Sequence, residues 1–428
     1  MESIGSFVSD SHVPDEVLEH SKMAFANWLA VAIHGADTEE GQRLISFAQD
    51  FGTGKYPLIG TRTKSPPQIA ALVNGANGHI DDYDDTHLKT VTHPATPVIG
   101  ALISCVKEDT TVRDFLEAIA LGSEIGIRVA LLLGPSHYNQ GWHSTATTGI
   151  IGAALGAARL LPLNPEQTVN AGALASLQPI GLRVAFGTSG KAFQVGTASE
   201  SGYLCAKAAQ FDVDAPRDAL ENRVGLRIIS TDFDPAQLNT LGSKWHFLDD
   251  IFKTYPCGIV AHPLIDAGRS LFKDHVTRGK IEKVIATVNP LVIDLTGISR
   301  PRTSLEIKFS SRYLLALALV KGNVVIEDMG SPSSREILEL ADKVELIADS
   351  AVPTDSCFLK VIFGSNETVT TSVKGIASEP ADKVWNRLRE KFESCVKPWL
   401  KDSSSVWKNW LEIDIDSSIN DFIRSLGR

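Results

Sequence analysis

The stretch TATTGIIGAALGAARLLPL, residues 145–163, constrains this chain more than any other, because so much Ala and Gly is useful only in a helix packed very close to its neighbours. Pro162 ends that helix, since it cannot supply the next backbone donor. A second small-residue helix, GTASESGYLCAKAAQF, follows Lys191. Upstream, Pro14 stands where a helix starts, and Val17, Leu18, Phe25, Trp28, Leu29 and Ala32 recur on one face. Thr111 and Asp114 form a capping-box pattern ahead of Phe115, Leu116 and Ile119. The first 250 or so residues read as helix after helix.

The texture changes near Lys280. KIEKVIATVNP nearly alternates, and CFLKVIFGSNETVTTSVKG reads as two strands joined at Gly364 to Asn366. TSLEIKFS reads as a further strand, with short helices over 313–320 and 334–341. From Asp382 to Leu400 the helical period returns on Val384, Trp385, Leu388 and Phe392, with no linker before it. The expected fold is therefore mainly α. A large all-helical domain is formed by both chain ends, residues 1–255 and 381–428, and a smaller α+β domain is inserted over 256–380.

A chain of 428 residues with 43% hydrophobic content has ample material for a core. A net charge of -10 without a basic tract offers nothing to a phosphate backbone, so nucleic acid is excluded as an expected partner. The five cysteines are odd in number and scattered, with no CxxC pair for zinc, and are expected to be reduced thiols. No apolar run reaches membrane-spanning length, and the first residues lack the basic and apolar regions of a secretion signal. The expected location is cytoplasmic, with an organelle left open.

Chemistry is signalled by HIDDYDDTHLKTVTH, residues 79–93, which holds three histidines and four aspartates. Carboxylates this crowded shift one another's pKa values, a cost usually met where metal is bound or protons move. Asp81, Asp82 and Asp85 satisfy DDxxD, which on a helix lines up carboxylates for magnesium and a diphosphate, but the second metal-binding motif such enzymes need is absent from the sequence. GTSGKA, residues 187–192, resembles the end of a phosphate-binding loop and fails at both flanks, with Ala185 and Ala192 where a glycine and a hydroxyl belong.

Polar residues in apolar surroundings remain: Asp82, Thr86, His93, His143, Lys191, Lys253, His262 and Tyr313. Singly, each has a plainer reading. A histidine before a helix is more often a cap or core residue than a catalyst, and a tyrosine at a helix start usually packs. Jointly they offer two cations that can hold carboxylates, plus carboxylate, imidazole and phenol groups that can move protons.

In order along the chain, NGHIDDYDDTH with THPATP, GWHSTATTGIIGAALGAARLL, GTSGKAFQVGTASESGYLCA, KTYPCGIVAHPLIDA and PRTSLEIKFSSRYLLALAL resemble the MmgE/PrpD family. That resemblance implies a helical domain covered by a smaller α+β domain, a site in the cleft between them, and usually a homodimer. It implies 2-methylcitrate dehydratase, cis-aconitate decarboxylase or iminodisuccinate epimerase chemistry on small polycarboxylates, with no metal and no organic cofactor. The matching site positions are Asp82, Thr86, His93, His143, Lys191, Lys253 and Tyr313, with His262 beside them.

Under that resemblance Lys191 and Lys253 bind carboxylates and hold an enediolate. Asp82 and His143 are the general base and acid, Tyr313 is a second proton donor, and Thr86 and His93 orient substrate. Two departures bear on the reaction. Gly258 falls where decarboxylase-like members tend to carry a histidine, and the interval from Thr86 to His93 is one residue longer. Cys257 beside Lys253 is a candidate epimerase base through a lowered thiol pKa, and Arg312 a candidate extra anion clamp. A lyase is favoured over an epimerase, and a catalytically inactive polycarboxylate-binding relative is the third reading.

Overall fold

The computed structural model describes residues 1–332, 334–365, 367–375 and 380–426. Helix Ser144–Leu160 lies among Val112–Asn139, Ala95–Ile103 and Ser189–Gln210, and Pro67–Asn77 packs on the last two. The approach is as close as the small residues foretold. A Cβ on Gly196 would lie 2.3 Å from the Leu72 carbonyl oxygen, and one on Gly152 would lie 2.7 Å from that of Gly122. Such contacts leave no room for a methyl group.

Helix Asp15–Asp37 starts after Pro14 and buries Phe25 and Trp28. The Phe25 ring meets Trp28, Phe115 and Trp410 at centroid distances of 6.0, 5.2 and 4.7 Å. Burial of a side chain of this size contributes about 1.5–3 kcal/mol, so this cluster fastens the C-terminal Ser403–Leu411 helix to the first long helix. Helix Ala381–Val396 also packs on Asp15–Asp37. The Thr111–Asp114 capping box forms, and helix Val112–Asn139 breaks at Gly134, where φ is 62° just before Pro135.

Two helical expectations change. Helix Glu2–Asp10 was not anticipated, and residues 211–261 form turns, short 3-10 segments and the two-residue strand Ile251–Phe252 instead of long helices. Three of their carbonyls are satisfied by buried Arg128, which pairs with Glu124 at 2.6 Å and donates to Gln237 O at 2.5 Å, to Thr240 O at 3.0 Å and to Lys244 O at 2.6 Å.

The α+β segment holds a four-stranded sheet in the order Val344–Ala348, Ile281–Val288, Cys357–Phe363, Thr368–Val373. The first pair is parallel, with Val284 opposite Val344, and the others are antiparallel. Strand Val344–Ala348 was missed. Asn366, in the expected turn, lies outside the described residues. TSLEIKFS is not a strand: Thr303 Oγ1 accepts from Glu306 N at 3.1 Å and starts the short Ser304–Ile307 helix, and Ser310 caps Ser311–Lys321. Local hydroxyl caps here prevail over apolar alternation.

A two-residue antiparallel ladder joins two stretches that are far apart in the chain. Asp85 pairs with Phe252 and Thr86 with Ile251, which sets the acidic run beside Lys253. Among the described residues no helix is long and apolar enough to cross a membrane.

Candidate active site

Residues 79–93 follow helix Pro67–Asn77 and are buried along most of their length. The DDxxD carboxylates diverge. Asp81 takes Lys308 Nζ at 2.9 Å and His34 Nδ1 at 2.6 Å, whereas Asp85 accepts from Ala95 N at 2.7 Å. The DDxxD pattern therefore lies on a loop and does not present three carboxylates to one ion.

Asp82 is the centre of the site. Its φ of 49° is left-handed, a conformation that aspartate tolerates better than most residues and that occurs at functional sites. Lys191 Nζ and Lys253 Nζ both donate to Asp82 Oδ1 at 2.9 Å, and Lys253 also donates to Asp82 O at 2.9 Å. Burial by itself would raise the Asp82 carboxyl, but the two ammonium groups outweigh it and hold the pKa well below the carboxylate range. Burial pulls Lys191 down and Asp82 pulls it back.

Lys191 comes from the first turn of Ser189–Gln210, and its Nζ also lies 2.7 Å from His79 Nε2. His79 Nδ1 lies 2.8 Å from Asp84 Oδ2, so the carboxylate takes the ring proton and leaves Nε2 as acceptor for the ammonium. Burial lowers the His79 pKa to about 4 against the pull of Asp84. His93, just before the Ala95–Ile103 helix, reaches Asp85 O at 2.6 Å and Asp84 Oδ1 at 3.0 Å through Nδ1, and its Nε2 lies 3.6 Å from Asp82 Oδ1.

His143 precedes the Ala/Gly-rich helix. Its Nδ1 lies 3.0 Å from Gln194 Oε1, which can only accept, so the proton sits on Nδ1 and Nε2 carries the lone pair. Burial first, and Lys191 second, push the His143 pKa well below its ordinary value, so the ring is neutral. Asp82, Thr86, His93, His143, Lys191 and Lys253 all line one cavity, closed by Tyr138, Phe186 and Phe309. Val91 also lines it, with a φ of 53° that is unusual for a β-branched residue.

Four expected residues lie elsewhere. Tyr313 is buried on the Ser311–Lys321 helix and does not line the cavity; Phe309, just before that helix, takes the wall instead. Arg312 spends Nε and Nη1 on the backbone oxygens of Val344 and Gly297, at 3.2 and 3.3 Å, so it tethers the sheet and does not face an anion. His262 lines a larger cleft of about 1080 Å³ on the far side of Lys253, with Nε2 3.2 Å from Tyr255 O. Cys257 is fully buried, and burial raises its pKa far more than Lys253 lowers it, which corrects the expectation of a reactive thiolate.

Other residues of the site had not been singled out: His79 and Asp84, present in the dense run itself, then Tyr138, Gln194 and Lys391. Lys391, pushed down to about 7 by burial, donates to Asn27 Oδ1 at 2.7 Å, to Lys253 O at 3.2 Å and to Tyr83 O, tying helix Ala381–Val396 to the site. Gly258 also lines the cavity; a Cβ there would meet Thr296 Cγ2 at 2.9 Å, so Thr296 occupies the space that a side chain at 258 would need.

His79, Asp82, Asp84 and His93 bring four ligand atoms within 4.8 Å of one another. The set fits a cation poorly, because Lys191 occupies the His79 lone pair and two ammonium groups already share Asp82 Oδ1.

Fold and site together define a mainly helical protein with a buried, lysine-clamped cavity fit for acid and base chemistry on an anion. The chain belongs to the MmgE/PrpD family: residues 3–238 match the MmgE/PrpD N-terminal domain and residues 255–409 the MmgE/PrpD C-terminal domain. It is 25% identical to the cis-aconitate decarboxylase-like protein oryM of Aspergillus oryzae over 92% of this chain and 88% of that protein. Cis-aconitate decarboxylase of Aspergillus terreus is 24% identical over 86% of this chain and 83% of its own, and that of Mus musculus 23% over 82% and 76%.

Proposed function

We propose that this protein is a lyase acting on a small di- or tricarboxylic acid through a carbanion spread into a neighbouring carboxylate, as in cis-aconitate decarboxylation or 2-methylcitrate dehydration. The observation that carries this reading is the meeting of Lys191 and Lys253 on Asp82 in a cavity shared with neutral His143. An ammonium has three N–H groups. Lys191 uses two on Asp82 and His79, and Lys253 uses two on Asp82, so each keeps one for a substrate carboxylate.

Asp82, held ionised, is a poor proton acceptor at neutral pH and serves to aim both lysine side chains. His143 Nε2 is the proton carrier. In dehydration it takes the proton α to a carboxylate, the electron pair moves into that carboxylate under the lysines, and the His143 imidazolium hands that proton to the departing hydroxide, which leaves as water. In decarboxylation the C–C bond breaks, carbon dioxide leaves, and the bound anion raises the imidazole pKa so that His143 returns a solvent-derived proton to carbon. The neutral imidazole supports the first course, and the named activity of the relatives supports the second.

An iminodisuccinate-type epimerase is the second reading, supported by Tyr138 on the cavity wall as a second proton donor. A homodimer is part of the proposal, supported by the exposed aromatic group Phe47, Phe51 and Phe193, and the buried free cysteines support a reducing compartment, the cytoplasm or an organelle. The test is proton NMR in deuterium oxide with citrate, 2-methylcitrate, cis-aconitate and iminodisuccinate. A lyase forms a new vinyl species, an epimerase exchanges the α-hydrogen without one, and no change with any of the four would overturn both readings.

A further inference from the structure

Outside the cavity lies a vestibule of about 300 Å³, walled in part by Arg183, Phe186, Asp294, Leu295 and Phe309. Phe186, Leu295 and Phe309 also line the inner cavity, so these three side chains form a partition between the two spaces. The inner cavity has about 40 Å³ of free volume, room for a few waters. With Phe186, Leu295 and Phe309 as placed, that space is too small to seat a tricarboxylate against Lys191 and Lys253.

Among the residues lining the vestibule, Arg183 is the only cation and Asp294 the only anion. Arg183 is anchored in the helical part: its peptide N–H donates to Gly141 O at 2.8 Å, Nη1 donates to Tyr138 O at 3.2 Å, and the guanidinium lies 4.2 Å over the Tyr138 ring. Asp294 belongs to helix Pro290–Thr296 of the α+β part, directly before Leu295 of the partition. Arg183 Nη2 donates to Asp294 Oδ2 at 2.5 Å, which joins the two parts across the mouth. Among the described residues Arg183 Nε has no partner. The Asp294 bond thus uses one donor of an edge that a carboxylate can take with two.

We propose that Arg183 is a docking subsite for one carboxylate of the incoming substrate, and that exchange of Asp294 for that carboxylate frees helix Pro290–Thr296 and opens the partition. This rests on the polycarboxylate reading above. Asp294 is then a built-in competitor that holds the mouth shut until an anion with better geometry arrives.

The experiment compares wild type, Arg183→Gln and Asp294→Asn in two readouts: steady-state kinetics on whichever polycarboxylate wild type turns over, and calorimetric binding of citrate. Arg183→Gln is expected to raise KM and the citrate Kd about tenfold, the loss of one charged hydrogen bond. Asp294→Asn is expected to lower KM and the citrate Kd by roughly threefold, the worth of one exposed ion pair. Unchanged KM and citrate affinity in both variants would overturn the proposal. Should Arg183→Gln melt early, Asp294→Asn decides alone, because its side chain is 62% exposed and an unchanged or higher KM there is contrary. If wild type turns over no polycarboxylate yet binds citrate in an Arg183-dependent way, the subsite stands and the lyase reading fails.

Discussion

Lys191 and Lys253 donate to the same oxygen, Asp82 Oδ1, at 2.9 Å each. One carboxylate therefore neutralises two buried ammonium groups only in part, and the residual positive charge is what an anionic substrate meets. Asp82→Asn keeps the shape and removes the charge, leaving two buried cations without a counter-ion. It is expected to lower the free energy of unfolding by about 3–5 kcal/mol and to abolish turnover, measured by urea titration and by kcat/KM. Wild-type stability in this variant would show that the three groups are not coupled.

Gln194 fixes which nitrogen of His143 carries the proton. Gln194→Leu removes that acceptor and lets the ring proton move to Nε2, the atom that faces substrate. A fall in kcat on the order of tenfold is expected, part of the 10²–10⁴ that a positioned acid or base supplies. KM for the same substrate should stay within a factor of about two to three. A change in KM alone would assign Gln194 to substrate binding.

Acid should unfold this protein through its histidines. His20, His79, His87 and His137 are each pushed down from 6.5 to about 4 by burial. Between those values the unfolded chain binds more protons than the folded one, so stability falls as pH is lowered, by at most about 1.4 kcal/mol per pH unit for each ring. Asp85, raised to about 6 by burial and by the charge of Asp84, acts in the opposite sense, as do the raised Asp250, Glu124, Glu200 and His34, but His143, His246 and His262 are lowered as well, so the lowered imidazoles outnumber the raised groups. Calorimetric Tm should drop from pH 6.5 to 4.5; a flat or rising Tm would contradict the neutral buried histidines.

Helix contact at Gly196 can be probed against a roomy neighbour. Gly196→Ala sets a methyl 2.3 Å from Leu72 O and is expected to cost about 1–3 kcal/mol, with lost activity because Lys191 rides on the same helix. Gly126→Ala meets nothing closer than 3.8 Å and is expected to gain about 0.4–1 kcal/mol. Equal melting of the two variants would mean that the helices have slack.

Much of this was legible in the residues. Pro14, the Thr111–Asp114 box and the Ala/Gly-rich run each carry a local physical signal, and each marks a helix where expected. TSLEIKFS misled because its alternation is that of a strand, while Thr303 and Ser310 satisfy the backbone locally. Six site residues converge because polar groups in apolar surroundings must find partners, and they found one another. Gln194 was within reach, three residues past Lys191 and hence on the same helix face. Arg312 and Cys257 were chosen for their neighbours in the chain, and adjacency along a chain does not set which way a side chain points. Tyr138 gave no local signal, since it reaches the cavity only through the break at Gly134 and the packing of its helix.

The most direct test is kcat/KM of Lys191→Ala on the polycarboxylate that wild type converts, with Lys253 left on Asp82. Loss of a donor aimed at the developing negative charge should lower it about 10²–10³-fold, with folding retained by circular dichroism. A value equal to wild type would mean that the two ammonium groups do not hold the reacting carboxylate.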